Sequence, residues 1–131
     1  MTIDKIAWIL LTDGSILSSR NQGRDVFYLP GGKREPGETD VETLVREVRE
    51  ELSVAIVPGT EAHLGTFEAE AHGQAPGTRV TMTCYTADYQ GTLHPDNEIA
   101  ELVWLGYADR DRFSPVDQLV FDHLHETGRL R

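Results

Sequence analysis

The sequence predicts an α/β protein in which helices cover a mixed β-sheet. Short apolar stretches bounded by turn residues lie before residue 30 and again after residue 54, and they are typical of strands. Two other segments repeat their apolar residues with the period of a helix. The resulting order is strands, helix, strands, helix, which indicates a mixed sheet with helices packed on it. The 131 residues are enough for a single domain, 1–131, with its own apolar core.

Three strands are predicted before the first helix. The apolar run 5–11 ends at the turn sequence Thr12-Asp13-Gly14, after which residues 15–19 return as a second strand. A third strand, residues 26–29, is stopped by Pro30-Gly31-Gly32. We therefore expect the chain to reach the first helix through a glycine-rich loop.

The first helix is predicted by its cap and by its apolar stripe. Thr39 and Glu42 have the spacing of a capping box, which fixes the start of the helix. One face then carries the apolar residues Val41, Leu44, Val45, Val48 and Leu52.

Four further strands and a second helix complete the predicted order. The strands are expected at 54–57, 63–71, 79–89 and 101–105. Ser114-Pro115 begins the last helix, because proline is favoured in the first turn. That helix is expected to bury Val116, Leu119, Val120 and Leu124. Elsewhere, we expect Trp8, Trp104 and Cys84 to be buried.

Charge and cysteine content exclude several classes of protein. The net charge of −10 disfavours binding to duplex nucleic acid, and an anionic substrate would need divalent cations as a bridge. The single cysteine excludes an internal disulfide and a cysteine-based zinc site. The first residues lack the basic start of a signal peptide, and no apolar run approaches the ~20 residues of a membrane span. We therefore expect a cytoplasmic protein with no membrane partner.

Three carboxylates cluster on the first predicted helix. Glu47, Glu50 and Glu51 lie at i, i+3 and i+4, where like charges destabilise an isolated helix. They stay ionised at low cost only if cations lie among them, and carboxylate oxygens suit Mg²⁺, with Mn²⁺ also possible. Arg46 could brace Glu50. Upstream, Gly31 and Gly32 allow the backbone to approach a ligand closely, so helix, metal and loop together suggest a polyphosphate site.

The spacing of these residues is more specific than any one of them. Five residues separate Gly32 from Glu38, and seven separate Glu38 from Arg46. The pattern continues through the three glutamates to Val54. Residues 32–54 thus resemble the Nudix box in all but one defined position, and the chain is similar to the Nudix hydrolases. The resemblance implies an α/β/α sandwich with a loop–helix–loop box. It also implies Mg²⁺-dependent hydrolysis of a nucleoside diphosphate linked to another group.

The resemblance also implies roles for individual residues. Glu50 and Glu51 look like metal ligands, the carbonyl of Gly31 looks like an additional one, and Glu47 looks like a ligand or the general base. Arg46 and Glu38 resemble the orienting pair of the family. The predicted catalytic set is therefore Glu47, Arg46 and Glu50. Many members supply another acid from outside the box, for which Glu98 is the first candidate and Glu101 the second.

The one departure from the pattern is Ser53, where the family usually has glycine. Glycine there suits a left-handed cap, and a residue with a Cβ costs ~1 kcal/mol in that conformation. Because the position touches no ligand, we expect an effect on stability or cap geometry more than on catalysis.

The substrate is predicted only by class. By elimination of subfamily motifs, an ordinary or oxidised nucleoside triphosphate leads, and the protein is expected to act as a monomer or homodimer. Substrate contacts are assigned to Arg20, Gly32, Lys33 and Tyr28, and Phe27 or Tyr85 could also stack on a base unless they belong to the core. The alternative is a non-catalytic Nudix-like module that senses a nucleotide metabolite, against which the intact glutamates argue. A structural Ca²⁺ site is a poorer third hypothesis, since the loop lacks an EF-hand ligand pattern.

Overall fold

A computed structural model describes residues 1–71 and 73–131, which contain ten strands, two α-helices and one 3₁₀-helix. The strands are Thr2–Trp8 (β1), Leu11–Thr12 (β2), Ser15–Asn21 (β3), Phe27–Tyr28 (β4), Gly31–Lys33 (β5), Ala55–Ile56 (β6), Ala62–Glu70 (β7), Arg79–Thr86 (β8), Tyr89–Gln90 (β9) and Ile99–Leu105 (β10). The helices are Asp40–Leu52 (α1) and Pro115–Glu126 (α2), and the 3₁₀-helix is Tyr107–Arg112.

The main sheet is mixed, as predicted. Its strand order is β5-β1-β8-β7, with β1 parallel to β8 and the outer pairs antiparallel. A second sheet has the order β10-β3-β2, with β4 also paired to β3, and all its pairs are antiparallel. A third pair joins β6 to β9. The parallel β1–β8 pair is the centre of the main sheet, with α1 packed against β5 and β1 and α2 packed against β7 and β8.

The two helices lie on opposite faces of β1. Ile6 and Trp8 are buried against α1, in a cluster with its residues Leu44, Val48 and Leu52. Ala7, which points to the other face, is buried in a cluster with Val116, Val120, Phe121 and Leu124 of α2. This layering confirms the predicted α/β/α sandwich. Full burial of a leucine or valine side chain is worth about 1.5–3 kcal/mol, so the stripe on α1 holds the helix firmly in place.

The caps of α1 agree with the sequence. Thr39 Oγ1 accepts a hydrogen bond from the Glu42 amide at 3.2 Å, and Glu42 Oε1 accepts one from the Thr39 amide at 2.9 Å. At the other end Ser53 adopts the left-handed conformation, with φ 63° and ψ 21°. Ser53 therefore adopts the strained left-handed conformation that was expected at this position.

Strand β5 was not predicted, because the sequence there indicated only a loop. Gly31 has φ 141°, and a Cβ at this position would lie 2.0 Å from the carbonyl oxygen of Ile6. Glycine is thus required for β5 to pair with β1, so the close backbone approach at Gly31 is to a neighbouring strand. At Gly32 a Cβ would lie 2.5 Å from Cδ of Glu47, so this glycine makes room for a carboxylate of the box.

Two side chains expected in the core are exposed. Trp104 is 41% exposed, because it points outward on β10, which lies at one edge of its sheet, while its neighbour Leu105 is buried. Leu119 is 38% exposed, and Phe121 takes the inward position on α2 instead. Trp8 and Cys84 are buried, as expected.

Several predicted strands differ in their ends. The run 5–11 is divided between β1 and β2, and the run 79–89 ends at Thr86 before the separate strand β9. Strands near 15–19, 26–29, 54–57, 63–71 and 101–105 are present, and none of their ends differs from the prediction by more than two residues.

Candidate active site

The box helix α1 brings the three predicted carboxylates to three different environments. Glu51 is buried, with 8% exposure, and its Oε1 accepts a hydrogen bond from the Gly31 amide at 2.9 Å. The side chain of Glu47 is 14% exposed and lies against Gly32. The side chain of Glu50 is 51% exposed at the rim. The site thus runs from solvent inward along one turn of the helix.

Arg46 joins the glutamates to the loop that precedes the helix. Its guanidinium makes a two-pronged ion pair with Glu38, with Nε–Oε2 at 2.7 Å and Nη2–Oε1 at 2.9 Å. Nη1 donates to Oε1 of Glu47 at 2.9 Å, and Nη2 donates to the carbonyl of Lys33 at 3.1 Å. The Arg46 hydrogen bond, with help from the Glu35 amide, lowers the pKa of Glu38 to about 2. Arg46 thus connects Glu38, Glu47 and the backbone of the box loop through one guanidinium group.

The two inner carboxyls have raised pKa values. Burial raises the pKa of Glu51 to about 8, against the opposing hydrogen bond from the Gly31 amide. Burial also raises the pKa of Glu47, and the bond from Arg46 opposes it. The charge of Glu98 adds to the rise at both groups. The protein alone therefore leaves these two carboxylates poorly compensated, and a cation at this position would favour their ionised form.

Glu98 is brought close to the box by the loop before β10. The Asp96 amide donates to the carbonyl of Glu51 at 3.0 Å, and Asn97 Nδ2 donates to the carbonyl of Glu50 at 2.6 Å. Glu98 itself follows directly and is exposed. The second candidate, Glu101, is instead paired with Arg20 at 2.8 Å on the neighbouring strand. Of the two acids outside the box, the structure places Glu98 near the carboxylates.

The carboxylate oxygens of the site are the type of ligand that a hard divalent cation prefers. In this conformation, however, two of them accept hydrogen bonds from protein groups. Within residues 1–71 and 73–131, no three acidic, histidine or cysteine side chains converge closely enough to ligate one ion. Glu47 Oε1 is engaged by Arg46, and Glu51 Oε1 by the Gly31 amide. Carboxylate oxygens are nevertheless what Mg²⁺ prefers. A cation at this site would use the other oxygen, Oε2, of each carboxylate, which accepts no hydrogen bond from the described residues.

A cleft of about 430 Å³ opens beside the inner carboxylate. Glu51 and Gly31 line it, together with two of the predicted substrate contacts, Tyr28 and Lys33. The sequence did not indicate the other polar lining residues, which are Lys5, Ser19, Asn21, Arg24, Glu70, Gln74 and Ser114. Ser19 and Asn21 lie two residues apart on β3. Because side chains alternate between the two faces of a strand, this spacing was the signal in the sequence that both point to the same face.

The other predicted substrate contacts lie elsewhere. Arg20, between Ser19 and Asn21, points to the opposite face of β3 and pairs with Glu101. Gly32 contacts Glu47, and Phe27 is buried in the core. Tyr85 donates its hydroxyl to Asp40 Oδ2 at 2.7 Å at the start of α1, which makes it a support of the helix start rather than a stacking platform.

A buried carboxyl lies behind the wall of the cleft formed by Leu29 and Ser114. Asp117 is 0% exposed; its Oδ2 accepts from Ser114 Oγ at 3.2 Å, and its Oδ1 has no hydrogen-bond partner of regular geometry. Burial raises the pKa of Asp117 to about 6, against the charge of Lys5, the Leu29 amide and the Ser114 hydroxyl. Its position in the last helix gave no indication in the sequence that it would be buried.

No helix in the described part of the chain is both long and apolar enough to cross a membrane.

Comparison with known proteins assigns the family. The chain is 33% identical over 107 residues to the CTP pyrophosphohydrolase of Escherichia coli (strain K12), covering 78% of this chain and 74% of that protein. The solution structure of the E. coli ORF135 protein matches with a TM-score of 0.72 and 28% identity, covering 95% of this chain and 91% of that one. A NUDIX hydrolase from Nitrosomonas europaea shares the fold, with a TM-score of 0.77, 17% identity and coverage of 99% and 92%. The family model of the NUDIX domain matches residues 4–124, so the chain belongs to this family and is a Nudix hydrolase.

Proposed function

We propose that this protein is a Mg²⁺-dependent pyrophosphohydrolase of nucleoside triphosphates, ordinary or oxidised, with Mn²⁺ as a substitute metal. The observation that carries the proposal is the position of Glu51, the innermost of the box carboxylates, which lines the 430 Å³ cleft beside Gly31. The similarity to a CTP pyrophosphohydrolase supports the same substrate class. The net reaction converts a nucleoside triphosphate and water into a nucleoside monophosphate and pyrophosphate.

The metal would be held by Glu47, Glu50 and Glu51, with the Gly31 carbonyl and Glu98 as further oxygen ligands. When bound, Mg²⁺ supplies neutralisation of the phosphate charge and activation of water at neutral pH. The protein's own contribution begins with Arg46, which fixes Glu47 and the loop that carries Lys33. Such fixed positioning is a large part of phosphoryl-transfer catalysis.

The attacking water must lose a proton as its oxygen bonds to phosphorus and the P–O bond to the leaving group breaks. Glu47 and Glu98 are the two candidates to receive it. Glu47 is nearly buried and oriented by Arg46, and its raised pKa favours proton acceptance. Glu98 is exposed and tied to α1 through Asn97 and Asp96. Separate Glu47→Gln and Glu98→Gln variants distinguish them, because loss of the base removes the acidic limb of the pH–rate profile, on which the rate rises as the base loses its proton.

The proposal is tested with a panel of ordinary and oxidised nucleoside triphosphates, dinucleotide polyphosphates, ADP-ribose and nucleotide sugars in the presence of Mg²⁺. Release of phosphate and of pyrophosphate is measured separately, since this reports which bond breaks. The Glu50→Gln, Glu51→Gln double variant is expected to lose at least about 100-fold in rate. The glutamine that replaces Glu51 still has a side-chain oxygen to accept from the Gly31 amide, so the fold is kept.

The matched control is Glu126→Gln, which removes an exposed carboxylate from the end of α2, far along the chain from the box. It is expected to keep the wild-type rate. Turnover of a nucleoside triphosphate, lost in the double variant alone, supports the proposal. Tight binding of a panel member without turnover would favour the sensing module, and equal rates in all variants would contradict the assignment of the carboxylates.

A further inference from the structure

The chain contains two lysines, and the fold places them directly opposite each other in the cleft. Lys5 in β1 and Lys33 in β5 are register partners in an antiparallel pair. Residues directly opposite in such a pair point to the same face of the sheet. Both side chains line the cleft, where Lys5 is half-buried and Lys33 is exposed at the rim.

This arrangement is unfavourable for the protein alone. Like charges directly opposite on neighbouring strands destabilise a sheet. Every ion pair in the described residues 1–71 and 73–131 uses an arginine, so neither lysine forms an ion pair with an acidic side chain there. The nearest aromatic contact of Lys5 is with Tyr28, whose ring centre lies 5.5 Å from Nζ. Lys5 also faces the buried carboxyls of Glu51 and Asp117 without pairing with either.

The position of the pair indicates which part of a substrate it contacts. One step of two residues along the ladder, about 7 Å, leads from Lys5 and Lys33 to Ala7 and Gly31. Gly31 in turn donates its amide to Glu51, so the lysines lie within a side chain's reach of the carboxylate end. Ammonium groups are compact charges with three donors and no acceptor, which suits phosphate oxygens better than the mixed edge of a base.

We propose that Lys5 is a substrate-binding residue that, together with Lys33, holds a phosphate group of the nucleotide. The proposal rests on the proposed function, because it assumes that the cleft binds a nucleotide. Phosphate binding would explain why a protein of net charge −10 has both of its lysines directly opposite each other on two neighbouring strands.

The first test uses the fact that the protein has only two lysine amines besides its α-amine. The wild-type protein is acetylated under limiting conditions and the modified sites are quantified by mass spectrometry. Cytidine 5′-monophosphate and inorganic pyrophosphate are expected to slow acetylation of both lysines several-fold, whereas cytidine has no effect. The α-amine, at the exposed Met1, serves as the internal control. Protection of neither lysine by either phosphate compound would overturn the proposal.

The second test compares Lys5→Met, Lys5→Arg and the control Arg129→Met, which removes an exposed cation near the end of the chain. Lys5→Met is expected to weaken cytidine 5′-monophosphate binding about tenfold and to raise KM, with cytidine binding unchanged. Lys5→Arg restores most of the affinity, and Arg129→Met changes nothing.

The outcomes separate the two proposals. If Lys5→Met weakens cytidine and its monophosphate equally, or weakens neither, the phosphate assignment is wrong even though the hydrolase assignment stands. If the wild type hydrolyses no member of the substrate panel, the proposed function fails first, independently of any lysine variant.

Discussion

Replacing Asp117 by asparagine is expected to stabilise the protein at neutral pH. The carboxyl is completely buried, one of its oxygens has no regular hydrogen-bond partner, and burial raises its pKa to about 6. In the unfolded chain this carboxyl ionises at its ordinary pKa of about 3.9, whereas in the folded protein its ionisation carries the cost of burial. The ionised carboxylate therefore favours unfolding. Asparagine has nearly the same shape and removes the charge.

The size of the effect follows from the difference between the two pKa values. A difference of about two pH units corresponds to about 3 kcal/mol at 1.36 kcal/mol per unit. The folded protein holds its proton more tightly than the unfolded chain, so the penalty is fully present above pH 6. As the pH falls from 6 to 4 the penalty disappears, and about half remains at pH 5. The advantage of Asp117→Asn should therefore shrink from about 3 kcal/mol at pH 7.5 to nearly zero at pH 4.

Urea denaturation at pH 7.5, 6, 5 and 4 measures the difference in unfolding free energy between variant and wild type. Asp122→Asn, in the same helix, is the control. Its carboxylate pairs with Arg110 at 2.6 and 2.9 Å and is partly exposed, and the hydrogen bond from Arg110 lowers its pKa. That variant should lose about 0.5–1 kcal/mol at neutral pH. A pH-independent difference for Asp117→Asn, or a loss of stability at pH 7.5, would refute the reasoning.

Three further variants test the box helix. Thr39→Ala removes the side-chain oxygen that accepts from the Glu42 amide, while the bond from the Thr39 amide to Glu42 remains. It should cost about 1 kcal/mol in urea denaturation, whereas an unchanged midpoint would show that the cap is dispensable. Ser53→Gly relieves the left-handed cap and should add about 0.5 kcal/mol, less any loss from its bond to the His94 carbonyl; a clear loss would mean that this bond dominates. Arg46→Lys keeps the charge but cannot make the two-pronged bond to Glu38, so turnover should fall about tenfold, and full activity would contradict the orienting role.

The fold could be predicted where apolar residues recur at a regular interval on one face of a helix or strand. The capping box at Thr39 and the stripe ending at Leu52 defined α1 to within one residue, because cap chemistry and burial agree there. Strand β5 could not be predicted, since Gly31 and Gly32 have no side chains to show a period, and the need for glycine arises from the backbone of β1. Trp104 was misplaced because the edge position of β10 depends on the sheet order, which a local pattern does not contain.

The site was predictable where its residues are close in sequence. Arg46, Glu47 and Glu51 lie within two turns of one helix, so spacing alone placed them together. The cleft is different, because Lys5, Ser19 and Asn21 come from strands whose neighbours are set by the fold. A shift of one residue along a strand moves a side chain to the other face of the sheet. Arg20, between Ser19 and Asn21, therefore points away from the cleft and pairs with Glu101.

The last turn of α1 explains how an acid from outside the box arrives at the site. A helix leaves its final carbonyls without partners in the helix. Here the carbonyls of Glu50 and Glu51 accept from Asn97 and Asp96, and that of Leu52 accepts from the His94 amide at 3.0 Å. The loop that satisfies these carbonyls continues directly into Glu98. The same hydrogen bonds therefore cap the box helix and hold Glu98 near the box carboxylates. A change that loosens this loop should both weaken the end of the helix and displace Glu98.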